Sequence, residues 1–174
     1  MGSALFLVLA PGMVAGVVPY LISGWEMRGF EVASGGSLWD FPTALWVARV
    51  FGVGLVVLGS VGLLDSFVRF AREGIGTPAP VYPTERLVVT GLYRYVRNPM
   101  YCGVVGAIAG QGLLLGDVRL LGYGCAVWVL FQMFVLGYEE PKLRARYGAA
   151  YERYRGAVPR WLPRRVAWQD GEFL

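Results

Sequence analysis

The sequence predicts an all-α integral membrane protein with about four transmembrane helices and an amphipathic helix on the cytoplasmic side after the last of them. Three observations carry the prediction. Hydrophobic residues make up 56% of the 174 and charged residues only 16%, with a mean hydropathy of +0.50. A soluble domain carries about 25% charged residues, because water-facing surface needs them; here much of the surface is built to face hydrocarbon. Four apolar segments approach or exceed the roughly 17–20 residues that a helix needs to cross a bilayer, and the basic residues gather outside them. Residues 1–174 read as a single domain.

The first apolar segment runs from about Ala4 to Ser23. It lacks the basic start and small-residue cleavage site of a signal peptide. Pro11 and Pro19 kink it, which a bilayer helix tolerates when neighbours satisfy the freed carbonyls. The second runs from about Ala44 to Leu64, with a possible extension to Phe70; Asp40-Phe41-Pro42 before it combines a capping side chain with an early proline. The third runs from about Pro99 to Leu115 and the fourth from about Leu120 to Gly137. Gly116-Asp117 between them predicts a tight helical hairpin. Gly12-x3-Gly16, Gly106-x3-Gly110 and Gly112-x3-Gly116 set small residues one turn apart, which suits close helix packing. Gly52-Val53-Gly54 is no dinucleotide fingerprint, since no strand-to-helix turn is possible inside a span.

Orientation follows from arginine. The stretch Trp25–Asp40 holds Arg28 against Glu26, Glu31 and Asp40. By contrast, Arg69, Arg72, Arg86, Arg94 and Arg97 precede the hairpin, and Lys142, Arg144, Arg146, Arg153, Arg155, Arg160, Arg164 and Arg165 follow it. The two basic segments flank the hairpin and so share a side. The positive-inside rule makes that side cytoplasmic, and four spans then place both termini there. The arginine-rich, lysine-poor composition suits a GC-rich bacterium, hence a bacterial inner membrane.

Composition also excludes chemistry. Histidine is absent, which removes the commonest general base near neutral pH and the commonest metal ligand. Cys102 and Cys125 lie in apolar stretches and make no zinc site, so no metal is expected. Arg160-Trp161-Leu162-Pro163-Arg164-Arg165 sits beside a membrane and meets phospholipid rather than nucleic acid.

Two polar segments are candidates for function. Residues Thr84–Gly103 carry tyrosines and arginines directly into the third span at Pro99. A helix start offers unpaired N–H groups and a partial positive charge, a seat for a carboxylate, and Arg94 and Arg97 add donors. Tyr138-Glu139-Glu140-Pro141 places adjacent carboxylates where the fourth span leaves the bilayer, which is costly unless they are hydrated or paired. Leu143, Tyr147, Tyr151 and Tyr154 then recur at helical spacing, predicting an amphipathic interfacial helix able to roof a pocket. On residue types alone, interfacial anchoring by tyrosine and arginine explains these segments equally well.

From about Gly76 to Pro163 the chain resembles the isoprenylcysteine carboxyl methyltransferases and their relatives among the phospholipid methyltransferases. The resemblance lies in Leu87-Val88, Gly91-x-Tyr93, Arg97-Asn98-Pro99-Met100-Tyr101-x-Gly103, Glu139-Glu140, Tyr147-Gly148-x2-Tyr151-x2-Tyr154 and Val158-Pro159-Arg160, in that order and spacing. It implies a helical membrane enzyme that binds S-adenosylmethionine at the cytoplasmic side, within residues 76–163. Carried over by position, it implies cofactor contacts at Glu85, Arg86, Leu87, Val88, Gly91, Tyr93, Arg97, Asn98, Pro99, Met100, Tyr101 and Glu139, and catalytic candidates at Glu139, Glu140, Arg97 and Arg160. Two positions depart from the family. Asn98 stands where histidine is common, and Val135 stands where the eukaryotic carboxyl methyltransferases have arginine, which argues against a prenylcysteine carboxylate substrate.

Methyl transfer needs no histidine. The sulfonium donor is already activated, so positioning for in-line displacement is the main task. A carboxylate or thiolate acceptor needs no base; an amine must lose a proton, to Glu139, Glu140 or water. The acceptor is expected to be lipophilic and to enter sideways between the third and fourth spans, where Gly103, Gly106 and Gly110 leave room. Two alternatives stand beside this reading: a non-catalytic membrane protein that packs partners through glycine-rich helices, and an NADPH-dependent membrane reductase with a similar C-terminal half.

Overall fold

The computed structural model describes residues 10–30, 42–73 and 87–169. Among these the secondary structure is helical throughout, with no strand: α1 (Ala10–Ser23), α2 (Pro42–Glu73), α3 (Pro99–Leu115), α4 (Val118–Tyr147) and α5 (Ala149–Ala157), with a 3-10 turn at Gly91–Arg94. Two helices are long and apolar enough to cross a bilayer, over Thr43–Arg69 and Val118–Tyr147. Only 17% and 22% of their apolar windows are buried, whereas the core helix of a soluble protein is mostly covered. Val47, Val50, Phe51 and Leu58 on α2, and Leu130 and Met133 on α4, all point outward. That pattern costs free energy in water and none in lipid.

The α3–α4 hairpin forms where Gly116-Asp117 predicts it. Pro99 opens α3 at a position where its missing N–H is not needed. Gly116 ends it with φ +69, and its N–H donates to Gly112 O. Asp117 then caps α4, its carboxylate accepting from Arg119 N at 3.0 Å. The Arg119 guanidinium adds a 2.6 Å ion pair, and this hydrogen bonding holds Asp117 below the usual carboxylate range. The segment after α1 ties onto the same turn, with Arg28 N donating to Leu115 O and Phe30 N to Gly116 O.

α2 lies against α3 at backbone contact. A Cβ on Gly59 would stand 2.7 Å from Gly103 O, and one on Gly103 would stand 2.7 Å from Gly59 O. Seven residues along each chain the same reciprocity links Gly52 and Gly110. This corrects the expectation that Gly103, Gly106 and Gly110 leave room for an acceptor between α3 and α4. All three face α2, and the space above Gly103 and Gly110 is filled by its backbone. The glycines are packing residues.

Both π turns in the described chain precede a proline by two residues: Met13–Val17 before Pro19, and Val135–Glu139 before Pro141. Proline returns no N–H to the preceding turn, so the helix widens there. In α1 the neighbours supply the missing donors. Tyr123 Oη donates to Val14 O at 3.0 Å, and Gln111 Nε2 donates to Ala15 O at 2.8 Å. These bonds fasten α1 across α3 and α4.

Three further differences from the sequence expectation concern boundaries. α4 runs to Tyr147, ten residues past the expected end near Gly137, because Pro141 is absorbed by the π turn. The run expected as one helix over Leu143–Tyr154 is broken at Gly148, whose φ of 51 favours glycine. The tyrosine stripe turns inward. Tyr151 and Tyr154 are buried with Val158 and Trp168, and Leu143, Tyr147, Leu87 and Val89 pack around them. The Asp40-Phe41 start and the first six residues of the expected Ala4–Ser23 span lie outside the described residues.

Candidate active site

Four parts of the chain converge at one end of the helices: the 3-10 turn and the start of α3, the end of α4, α5, and the strap 158–169. The strap is held by backbone. Arg97 N donates to Pro159 O at 2.9 Å, Arg164 N to Tyr95 O at 2.9 Å, and Trp168 N to Arg94 O at 3.0 Å. Asn98 Nδ2 donates to Arg160 O at 3.2 Å, and Tyr154 Oη donates to Tyr93 O at 2.7 Å.

The π turn gives the two adjacent carboxylates different surroundings. Neighbours on a helix point about 100° apart. Glu140 is 4% exposed and surrounded by guanidinium groups. Its Oε1 accepts from Arg97 Nη1 at 3.0 Å and from Arg160 Nε at 2.7 Å, and Arg155 Nε lies 3.8 Å from Oε2. Glu139 accepts only from Tyr101 Oη, at 3.0 Å, and has no ion-pair partner among the described residues. An unpaired carboxylate in a sheltered place is costly, so it calls for a cation.

That place is a cavity. Arg97, Asn98, Val135, Glu139, Glu140, Leu143, Tyr151 and Tyr154 line a small, partly open cavity of about 30 Å³. It accepts a few atoms of a charged group and not a nucleoside. Arg97 Nε is buried without an acceptor among the described residues. Tyr93 is buried nearby; burial first, and the Glu139 charge second, push its phenol well above its ordinary pKa, so it stays neutral. Tyr101 stacks on Phe131 with ring centroids 4.5 Å apart, which fixes the hydroxyl that meets Glu139.

The structure therefore brings together Arg97, Asn98, Pro99, Tyr101, Glu139, Glu140 and Arg160. The partner-packing alternative expects the Arg97–Tyr101 and Glu139–Glu140 segments to lie apart, and they are hydrogen-bonded to each other. Met100 is half-buried on the first turn of α3 and Val88 is buried. Leu87 packs into the tyrosine cluster, and Tyr93 sits beneath it. Gly91, with φ 52, lies against the Arg69 guanidinium, where a Cβ has no room. Glu85 and Arg86 fall outside the described residues. Arg155 joins the site without having been singled out for it, while Leu143, Tyr151 and Tyr154, whose helical spacing marked them as able to roof a pocket, line the cavity.

Comparison with known proteins follows the same residues. A family model described as phospholipid methyltransferase matches residues 47–150, more than half of the chain. The chain is 29% identical over 158 residues to the protein-S-isoprenylcysteine O-methyltransferase of Schizosaccharomyces pombe, covering 87% of this chain and 65% of that protein. It is 32% identical over 78 residues to the Dictyostelium discoideum protein of the same name, covering 44% of this chain and 32% of that protein. Against protein-S-isoprenylcysteine O-methyltransferase A of Arabidopsis thaliana it is 27% identical over 120 residues, covering 68% and 60%. The chain spans less than two thirds of the length of each of these relatives.

Proposed function

The chain belongs to the phospholipid methyltransferase family, and from that premise we propose that it transfers a methyl group from S-adenosylmethionine to a lipophilic acceptor held in the membrane. The observation that carries this reading is Glu139: a sheltered carboxylate without a cationic partner among the described residues, lining a small cavity beside the start of α3. S-adenosylmethionine carries a carboxylate, an ammonium and a sulfonium, and the site suits these charges. Glu139 holds the positive part. The unpaired N–H groups at the start of α3 hold the carboxylate. Residues beyond the cavity, Glu85 and Arg86 among the candidates, complete the nucleoside side.

When bound, the cofactor supplies a methyl group already activated on positively charged sulfur. The protein's part is then to orient, to exclude water and to handle any proton. Tyr101 orients Glu139. Glu140 is committed to Arg97, Arg160 and Arg155 and orders the wall of the site, so of the two carboxylates Glu139 is the one available to take a proton from an amine or thiol acceptor. A carboxylate acceptor needs no base. Val135 lines the cavity at the position where the resemblance expects arginine, which supports an acceptor other than prenylcysteine. In this reading α1, α2, α3 and α4 all cross the bilayer, both termini are cytoplasmic, and the host is a bacterial inner membrane. The arginines around the site and the apolar character of α1 and α3, packed against two long apolar helices, support that arrangement.

Calorimetry on detergent-purified protein is the test. S-adenosylhomocysteine should bind with a stoichiometry of about one, and NADPH should give no heat. Binding of NADPH instead would support the reductase alternative, and no binding of either by folded protein would remove the methyltransferase reading.

A further inference from the structure

The strap 158–169 does more than line the site. Its inner side is fully engaged by Tyr95, Arg94 and Arg97. Its outer side carries Leu162, 79% exposed, and Val166, 64% exposed, with Pro163 and Arg165 also exposed. Single exposed apolar residues are ordinary on a protein surface; on the strap it is their position that gives them meaning.

Trp161 fixes that position. Its Nε1 donates to Gln132 Oε1 at 2.6 Å, and its ring lies 6.3 Å from that of Trp128. Its carbonyl accepts from Cys102 Sγ, on the first turn of α3. Gln132 stands seven residues before Glu139 on α4, about 10 Å along the helix toward the bilayer interior. The strap apex therefore dips alongside the lipid-facing surface of α4, where Trp128, Leu130 and Met133 are exposed. Irregular backbone is tolerated at that depth only where its polar groups are paired; of the apex, Trp161 O accepts from Cys102 Sγ and Arg164 N donates to Tyr95 O. Around the apex the charge is one-sided: between positions 142 and 165 stand Lys142, Arg144, Arg146, Arg153, Arg155, Arg160, Arg164 and Arg165 against Glu152.

We propose that the strap apex is an interfacial anchor for an anionic bilayer: Leu162 enters the acyl region beside α4, and Arg165 meets phospholipid headgroups. The inference rests on the membrane placement of α4 and not on the methyltransferase reading. It couples lipid to the site, because the residues next to the apex are Pro159, which holds Arg97 N, and Arg160, which holds Glu140.

The test reads depth directly and involves no catalysis. A nitroxide is attached through Leu162→Cys in a Cys102→Ser, Cys125→Ser background. The full chain is placed in nanodiscs of phosphatidylcholine with or without phosphatidylglycerol. With phosphatidylglycerol the label should collide with oxygen in preference to a water-soluble nickel complex. Introducing Arg165→Ala should reduce that preference by about fivefold, the effect of one arginine at an anionic surface, and omitting the anionic lipid should reduce it further. Val166→Cys provides a second label site if the first variant folds poorly. A label reached freely by the nickel complex in both discs overturns the anchor. A label buried equally in both overturns the role given to Arg165 and anionic lipid.

Discussion

Glu139→Gln is expected to leave the protein folded and to weaken S-adenosylmethionine binding at least about tenfold. The substitution keeps size and the capacity to accept from Tyr101 Oη, and removes only the charge. A hydrogen bond to a charged group contributes about 1.5–3 kcal/mol, and every 1.4 kcal/mol is about tenfold in affinity. Glu139 has no cationic partner among the described residues, so removing its charge orphans no arginine. Melting should stay within about 0.5 kcal/mol of the parent, as for changes that break no structural network. Comparing the two cofactor forms locates the charge. If Glu139 faces the ammonium, S-adenosylmethionine and S-adenosylhomocysteine lose affinity equally; if it faces the sulfonium, the former loses more. Unchanged affinity for both would remove Glu139 from the cofactor site.

Glu140→Ala should behave in the opposite way. Arg97 and Arg160 bond the same carboxylate oxygen, and the Arg97 side chain is only 10% exposed. Breaking a buried ion pair by deleting one partner costs about 3–5 kcal/mol, because the other charge stays behind unpaired. Arg160 and Arg155 are more exposed and can recruit water, which places the loss at the lower end, about 3 kcal/mol. In a chain of this length that lowers the melting temperature by roughly 6–12 °C. The strap should loosen with it, since Arg160 is its ionic tie to α4. Thermal melting in detergent reads the effect. A Glu140→Ala protein that melts like the parent yet binds no cofactor would make Glu140 a ligand contact, not a structural one.

These opposite expectations for neighbouring residues show where sequence reading stops. Glu139-Glu140 is legible as a costly pair that needs partners. Which of the two is paired depends on a π turn and on arginines 43 residues before Glu140 and 20 after it. The limits of α3 were legible because both ends carry strong signals, Pro99 at the first position and Gly116 in the left-handed region. The end of α4 was not, because hydropathy reports where lipid stops, while helical hydrogen bonding continues into water. The glycines of α3 were visible, but their partner was not: Gly59 and Gly52 meet them only after α2 folds back. The tyrosine spacing was legible as a stripe. Its inward direction was not, because that depends on Gly148 and on Trp168, at the end of a strap held by backbone groups that every residue carries.

Methyl transfer into the membrane can be followed with an isotope. Membranes containing the protein, given S-adenosylmethionine with a deuterated methyl group and a total lipid extract, are followed by mass spectrometry. A lipophilic species should gain the labelled methyl, with fragmentation showing whether oxygen, nitrogen or sulfur accepted it, and at sub-saturating cofactor the gain should be at least about tenfold slower in membranes carrying Glu139→Gln. Folded protein that binds the cofactor yet labels no lipid-soluble species would contradict methyl transfer into the membrane.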